Sequence, residues 1–183
     1  MDMALEIIDR FYAGQPDLRE ILLKHSSQVQ LKALQIAEAS GVRVDMEIVS
    51  NGAMLHDIGI ICCHAPDICC HGRRPYLAHG IAGAAMLREI SPEMEIYARI
   101  CERHTGSGLA AAEIRSAALP LPERDFLPET LEEKLICLAD KFFSKSGEMK
   151  EKSLAKIRRS MEKFGAPSLE RFDELCRIFS ITE

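Results

Sequence analysis

Apolar residues recur at three- and four-residue intervals through nearly every segment of this chain, and runs alternating Val, Ile, Thr or aromatic side chains with polar ones are almost absent. That periodicity predicts an all-α fold. Aromatic residues make up only 5% of the sequence, which further disfavours a sheet-rich architecture. With 183 residues, 47% of them hydrophobic, the chain can bury one core and is short for two. A single domain over residues 1–183 is therefore expected, built as a helical bundle of about six to eight helices.

Breaks and caps divide the pattern. An amphipathic opening segment, Met3 to about Tyr12, ends at Gly14-Gln15-Pro16. Leu18, Ile21, Leu22, His25, Val29 and Ile36 then trace one stripe of a long helix that stops near Gly41. Asp45 can cap the next helix, whose Ile48, Val49, Ala53 and Leu55 run down to His56-Asp57, with Gly59 supplying the stop. A further helix is expected over about 76–89, with His79, Ala82, Gly83, Met86, Leu87 and Ile90 on one side. Ser91-Pro92 opens another, in which Ile96, Ile100 and His104 step by four onto one face before Gly106. Thr130 with Glu133 forms a capping-box pattern, and Leu131, Leu135, Leu138 and Ala139 surround the position of Asp140. Two last helices, about 153–164 and 168–179, carry no inward-facing ligand candidates.

The charge balance narrows the function. A formal net charge of −5 argues against broad binding to a nucleic acid polymer, which needs a contiguous basic surface to release counterions. No stretch approaches the roughly 18 to 20 uninterrupted apolar residues of a membrane span. The opening residues Met1-Asp2-Met3-Ala4-Leu5-Glu6 lack the basic flank and apolar core of a signal peptide, so a cytoplasmic protein is expected. The seven cysteines are an odd number and include two adjacent pairs, which fits reduced thiols better than a disulfide framework.

Six ionisable residues stand out because they lie on apolar helix faces: His25, His56, Asp57, His79, His104 and Asp140. Burying such groups is costly unless they are paired, hydrogen-bonded or coordinated to a metal, and coordination removes the cost for all six at once. One histidine on an apolar stripe is more often a satisfied core residue, and Asp140 alone could be a salt-bridge partner. Imidazoles and carboxylates together suit divalent ions such as Fe, Mn, Co, Ni, Zn or Mg. The His56-Asp57 pair is well placed for this at a helix end, since neighbouring helical side chains diverge by about 100°.

In order and spacing, His25, then His56-Asp57-Ile58-Gly59, then His79-Gly80, His104 and Asp140 resemble the HD-domain metal-dependent phosphohydrolase superfamily, over roughly residues 17–146. The resemblance implies that His25, His56, Asp57 and Asp140 hold one metal. His79 and His104 match the extra histidines of binuclear members, in which the aspartate of the pair bridges both ions. It further implies hydrolysis of a phosphoester or phosphoanhydride bond in a small nucleotide-like or other phosphorylated metabolite by metal-activated water, with Asp57 and His56 at the catalytic centre. No Gly-x-Ser-x-Gly elbow, P-loop or dinucleotide fingerprint competes with that chemistry. The six-residue pattern also resembles narrower groups of the superfamily, the symmetrical diadenosine tetraphosphate hydrolases and the di-iron oxygenases, and a ligand-binding HD module without turnover is a third alternative. Homo-oligomers are compatible with all of these.

Substrate phosphates need cationic partners, and Arg73, Arg74, Arg103 and Lys141 are the candidates nearest in sequence to the expected ligands. Residues 60–75 hold four cysteines, two histidines, two prolines, Gly72 and two arginines, a composition expected to form an irregular loop. Within it, Cys62-Cys63-His64 and Cys69-Cys70-His71 form a near-duplicate that raises a separate structural zinc site. Adjacent thiols fit zinc poorly, since zinc motifs usually separate paired cysteines by two to four residues. One member of each pair is better placed packed inward, leaving the loop as a lid or redox-sensing element.

Overall fold

The computed structural model describes residues 3–182. Among them are nine α-helices: α1 (Met3–Tyr12), α2 (Pro16–Ser40), α3 (Met46–Leu55), α4 (His79–Arg88), α5 (Glu95–Arg103), α6 (Ala111–Ser116), α7 (Leu131–Asp140), α8 (Leu154–Glu162) and α9 (Ala166–Ile178). The architecture is all-α, as the periodicity requires. The helix beyond the expected range of six to eight is the six-residue α6, too short to leave a periodic signal.

The caps work as their chemistry dictates. Pro16 opens α2, where its missing N–H costs nothing, and Gly41 closes it in the left-handed conformation with its N–H bound to Ala37 O. The Asp45 side chain accepts from the amides of Glu47 and Ile48 at 2.9 and 3.1 Å. Thr130 accepts from the Glu133 amide at 3.2 Å, and the Glu133 carboxylate returns to the Glu129 and Thr130 amides.

Helix α2 packs along α3 and α7, and α5 packs on α3, α4 and α7, so that α2, α3, α5 and α7 enclose one apolar interior. Leu18, Leu22, Val29, Val49, Ala53, Leu55, Ile100, Leu135, Ile136 and Leu138 fill it. Helix α9 lies on α7, and α8 lies on α9. The expected α5 stripe is only partly right: Ile100 is buried, but Ile96 is 37% exposed, and Tyr97, Ala98 and Cys101 point inward in its place. The reason is that each four-residue step drifts about 40° around the helix, so Ile96 falls at the edge of the face that Tyr97, Ile100, Cys101 and His104 share.

The segment after α3 is more ordered than its composition suggests. Ile58–Cys62 is a 3-10 turn, and two-residue strands β1 (His64–Ala65) and β2 (Cys70–His71) pair antiparallel, His64 opposite His71. Gly59 does not end α3 through a left-handed conformation, contrary to expectation. Its role is close approach: a Cβ there would lie 2.2 Å from both Gly83 N and His79 O. The turn can therefore press against α4, and Tyr12 pins it from the other side, donating to Ile58 O at 2.7 Å.

No helix among the described residues is long and apolar enough to cross a membrane.

Candidate metal centre

Each of the six residues sits where an element begins, ends or faces the interior. His25 lies midway along α2. His56 closes α3, and Asp57 follows with φ −106° and ψ 10°, where the chain passes from α-helix to 3-10 turn. His79 is the first residue of α4, His104 caps the end of α5, and Asp140 is the last residue of α7. Gly80 lets these helix ends meet, since a Cβ on it would lie 2.5 Å from Cys101 O. All six side chains are buried.

Asp57 stands at the centre. Its Oδ2 lies 3.2 Å from His25 Nε2 and 3.0 Å from His56 Nε2, while its Oδ1 lies 3.3 Å from both His79 Nε2 and His104 Nε2. Asp140 Oδ1 completes the first side, 3.0 Å from His25 Nε2 and 3.5 Å from His56 Nε2. Two groups result, His25–His56–Asp57–Asp140 and Asp57–His79–His104, within each of which the ligand atoms all lie inside 4.8 Å of one another. They share one carboxylate, with one oxygen turned to each.

The histidine tautomers follow from their outer nitrogens. Nδ1 of His56, His79 and His104 lies 2.7, 2.7 and 2.8 Å from the carbonyls of Ala53, Tyr76 and Cys101, each three residues earlier. A carbonyl can only accept, so Nδ1 carries the proton and the Nε2 lone pair points inward. His56 Nε2 and both Asp57 oxygens are buried and make no well-aligned hydrogen bond despite their close neighbours. Convergent lone pairs without protons to share are what a divalent cation satisfies, and this imidazole–carboxylate set fits one.

The electrostatics carry the same demand. Burial works to raise the Asp57 carboxyl, but the nearby His56 and Lys145 outweigh it and hold it well below the usual carboxylate range. Asp140 is likewise opposed by burial and held low, by Lys141, His25 and His56. Burial works to lower His56, but Asp57 and Asp140 outweigh it and carry it up to about 9, so a metal would displace a proton from its Nε2. His79, where burial dominates, falls to about 3, and His104 is also lowered by burial. Two carboxylates held as anions in a buried site call for positive charge between them.

Of the sequence-based phosphate partners, Lys141 reaches the cluster: its Nζ lies 2.7 Å from Asp140 Oδ2 and donates to His104 O at 3.0 Å. Arg103 points to the acidic start of α7, donating to Leu127 O and pairing with Glu129. Arg73 and Arg74 are exposed at the base of the small hairpin. A cation missed by sequence reasoning is Lys145, whose Nζ lies 2.5 Å from Asp57 Oδ2 and 5.9 Å from the centre of the Tyr76 ring. No periodicity announces it, because α7 ends at Asp140 and the chain turns back before Lys145.

The cysteine-rich segment forms no second cluster: among the described residues, its cysteines and histidines do not bring three ligand atoms together. Cys63 and Cys70 pack inward, and His64 and His71 are exposed. Burial pushes the thiols of Cys63 and Cys70 up, to about 11 and 12, which leaves them poor thiolates near neutral pH.

Fold and site together define an all-helical protein with a buried histidine–aspartate centre. The HD domain family model matches residues 22–144, from just before His25 to just past Asp140, and the chain belongs to the HD domain family. An uncharacterized protein of Methanocaldococcus jannaschii is 37% identical over 124 residues, 66% of this chain and 65% of that protein. The tRNA (cytidine(56)-2'-O)-methyltransferase of Picrophilus torridus is 33% identical over 125 residues, 68% of this chain but 32% of that one. The enzyme of the same description from Thermoplasma volcanium is 30% identical over the same shares. The chain thus spans about two thirds of the first relative and about a third of the methyltransferases. In fold it is similar to the HD domain of the L. monocytogenes phosphodiesterase PgpH, with a TM-score of 0.53 at 17% identity over 95% of each chain.

Proposed function

We propose that this chain is a metal-dependent phosphohydrolase that cleaves a phosphoester or phosphoanhydride bond of a small phosphorylated metabolite in the cytoplasm. The observation that carries the reading is the division of Asp57, one oxygen toward His25 and His56 and the other toward His79 and His104. Two divalent ions would be held by these residues, one by His25, His56, Asp57 and Asp140 and the other by Asp57, His79 and His104.

Bound there, the ions would lower the pKa of water toward neutrality and neutralise charge developing on phosphoryl oxygens. The chain's own residues hold that centre in shape. The backbone carbonyls of Ala53, Tyr76 and Cys101 fix three imidazoles with Nε2 inward. Lys141 ties Asp140 to the carbonyl of His104, joining ligands from α7 and α5. Leu55, Ile100 and Leu138, on the same helices as His56, His104 and Asp140, are almost fully buried.

Metal analysis of protein purified without chelator, with phosphate release from a panel of phosphoesters, tests the proposal. About two transition-metal ions per chain and hydrolysis that is lost in His56→Ala and Asp57→Asn are expected, with and without oxygen. Absence of metal together with unimpaired variants would sink it, and turnover that requires oxygen would favour a di-iron oxygenase.

A further inference from the structure

Beside the cluster lies a cavity of about 230 Å³, lined by Asp140, three lysines (Lys141, Lys145 and Lys152) and a group of apolar side chains that includes Phe164. One wall is the end of α7 with the turn that follows. The opposite wall is α8 and the residues after it, beyond the matched residues 22–144. Asp140 belongs to both the cluster and the cavity, so a molecule filling the cavity reaches the centre directly. A larger cavity of about 640 Å³, around Phe142, Leu154 and Ile181, has none of the six clustered residues in its lining.

The three lysines are not equivalent. Lys152 Nζ donates to Phe143 O at 2.6 Å and to Lys141 O at 3.2 Å, closing the carbonyl end of α7. Lys141 is engaged by Asp140 and by His104 O. Lys145 is held by side chains, those of Asp57, whose charge the metals would share, and of Tyr76. Held by side chains rather than by backbone carbonyls, the Lys145 ammonium is the one of the three that can turn to a phosphoryl group once Asp57 is shared with metal. Phe143, Ile157, Met161 and Phe164 add apolar lining beside Ser160, and Phe164 lines the cavity while 66% exposed. A large aromatic side chain that lines a cavity and is still open to solvent is placed to lie against a flat ligand.

Resting on the phosphohydrolase reading, we propose that the α8 side of this cavity is the leaving-group subsite. It selects a phosphomonoester of an uncharged alcohol bearing a flat ring, with Lys145 on the single phosphoryl group and Phe164 against the ring. Substrates with further phosphates are disfavoured, because the other two ammonium groups are held by backbone carbonyls and by Asp140.

Calorimetry on the full chain reloaded with Mn²⁺ tests this with two probes that cannot lose an alcohol, phenylphosphonate and methylphosphonate. Wild-type protein is expected to bind the phenyl probe about tenfold more tightly, as one aromatic contact supplies. In Phe164→Ala the two affinities should fall within about twofold of each other, and Phe164→Tyr should restore the preference. Equal affinities in the wild type, or a preference that survives Phe164→Ala, would overturn the assignment. The Mn²⁺ titration that precedes the probes separates the two readings: failure to bind Mn²⁺ defeats the metal centre and this subsite with it, whereas Mn²⁺ binding without ring preference defeats the subsite alone.

Discussion

His79 Nε2 and His104 Nε2 face each other at 3.0 Å, although both imidazoles have already committed their Nδ1 protons to the carbonyls of Tyr76 and Cys101. Neither facing nitrogen has a proton to offer the other. The pair is instead arranged as two donors on one side of Asp57 Oδ1. Replacing either histidine by alanine should lower the metal content from about two ions per chain to about one, as read by plasma mass spectrometry on desalted protein. Stoichiometry that stays at two in both variants would show that these histidines serve packing alone.

Metal removal has a predictable effect on stability. Ions that bind the folded chain and not the unfolded one stabilise it by mass action, about 2.7 kcal/mol at a hundredfold excess over Kd. The melting temperature should therefore rise with added Mn²⁺ and fall back with chelator in the wild type. Asp57→Asn removes anionic charge from the shared ligand, and its melting temperature should be nearly insensitive to both. A full Mn²⁺ response in that variant would contradict a central role for Asp57.

Gly59 provides a purely steric test. An alanine Cβ there meets the backbone of α4 at 2.2 Å, where no flexible side chain can give way. Gly59→Ala should destabilise by about 1–3 kcal/mol or more, as overpacking does, and should weaken metal binding because Asp57 lies two residues before it. Urea unfolding measures the first effect and metal titration the second. A variant with wild-type stability would mean that the turn and α4 can separate without cost.

Away from the centre, Glu102 supplies a pH dependence. Burial works to raise its carboxyl, but Arg88 and Arg124, at 2.7 and 2.9 Å, outweigh it and hold the carboxyl below its ordinary value. A group depressed on folding contributes stability that is present above its unfolded pKa, about 4.3, and is lost as pH falls through the lower folded value. The side chain is only 5% exposed, so Glu102→Gln should cost about 1–3 kcal/mol at pH 7. That gap should narrow steadily below about pH 4. Chemical unfolding of both proteins between pH 3 and 7 measures it, and a gap independent of pH would refute the linkage.

Much of this was legible in the chain. Asp45, Thr130 and Gly41 act on backbone groups a few residues away, so their effects need no tertiary information. The six residues were legible for a different reason: ionisable groups on apolar stripes conflict with burial, and the conflict marks them whatever the packing. Other features escaped because their causes are distant. Gly59 reads as a helix stop until α4 is brought against it. Ile96 reads as core until packing picks the face centred on Tyr97, Ile100 and Cys101 and leaves it at the edge. Arg103 reads as a phosphate partner until Glu129 and Leu127 O take its guanidinium.

The sequence by itself determined the helical class and the inventory of the centre, because periodicity, capping and the cost of burying charge all act locally. Only the tertiary structure decided how Asp57 divides its oxygens, that Lys145 meets it, and that α8 and Phe164 stand across a cavity from Asp140. Those relations depend on where helix ends meet in space, which is set by backbone approach and side-chain volume across separations of tens of residues.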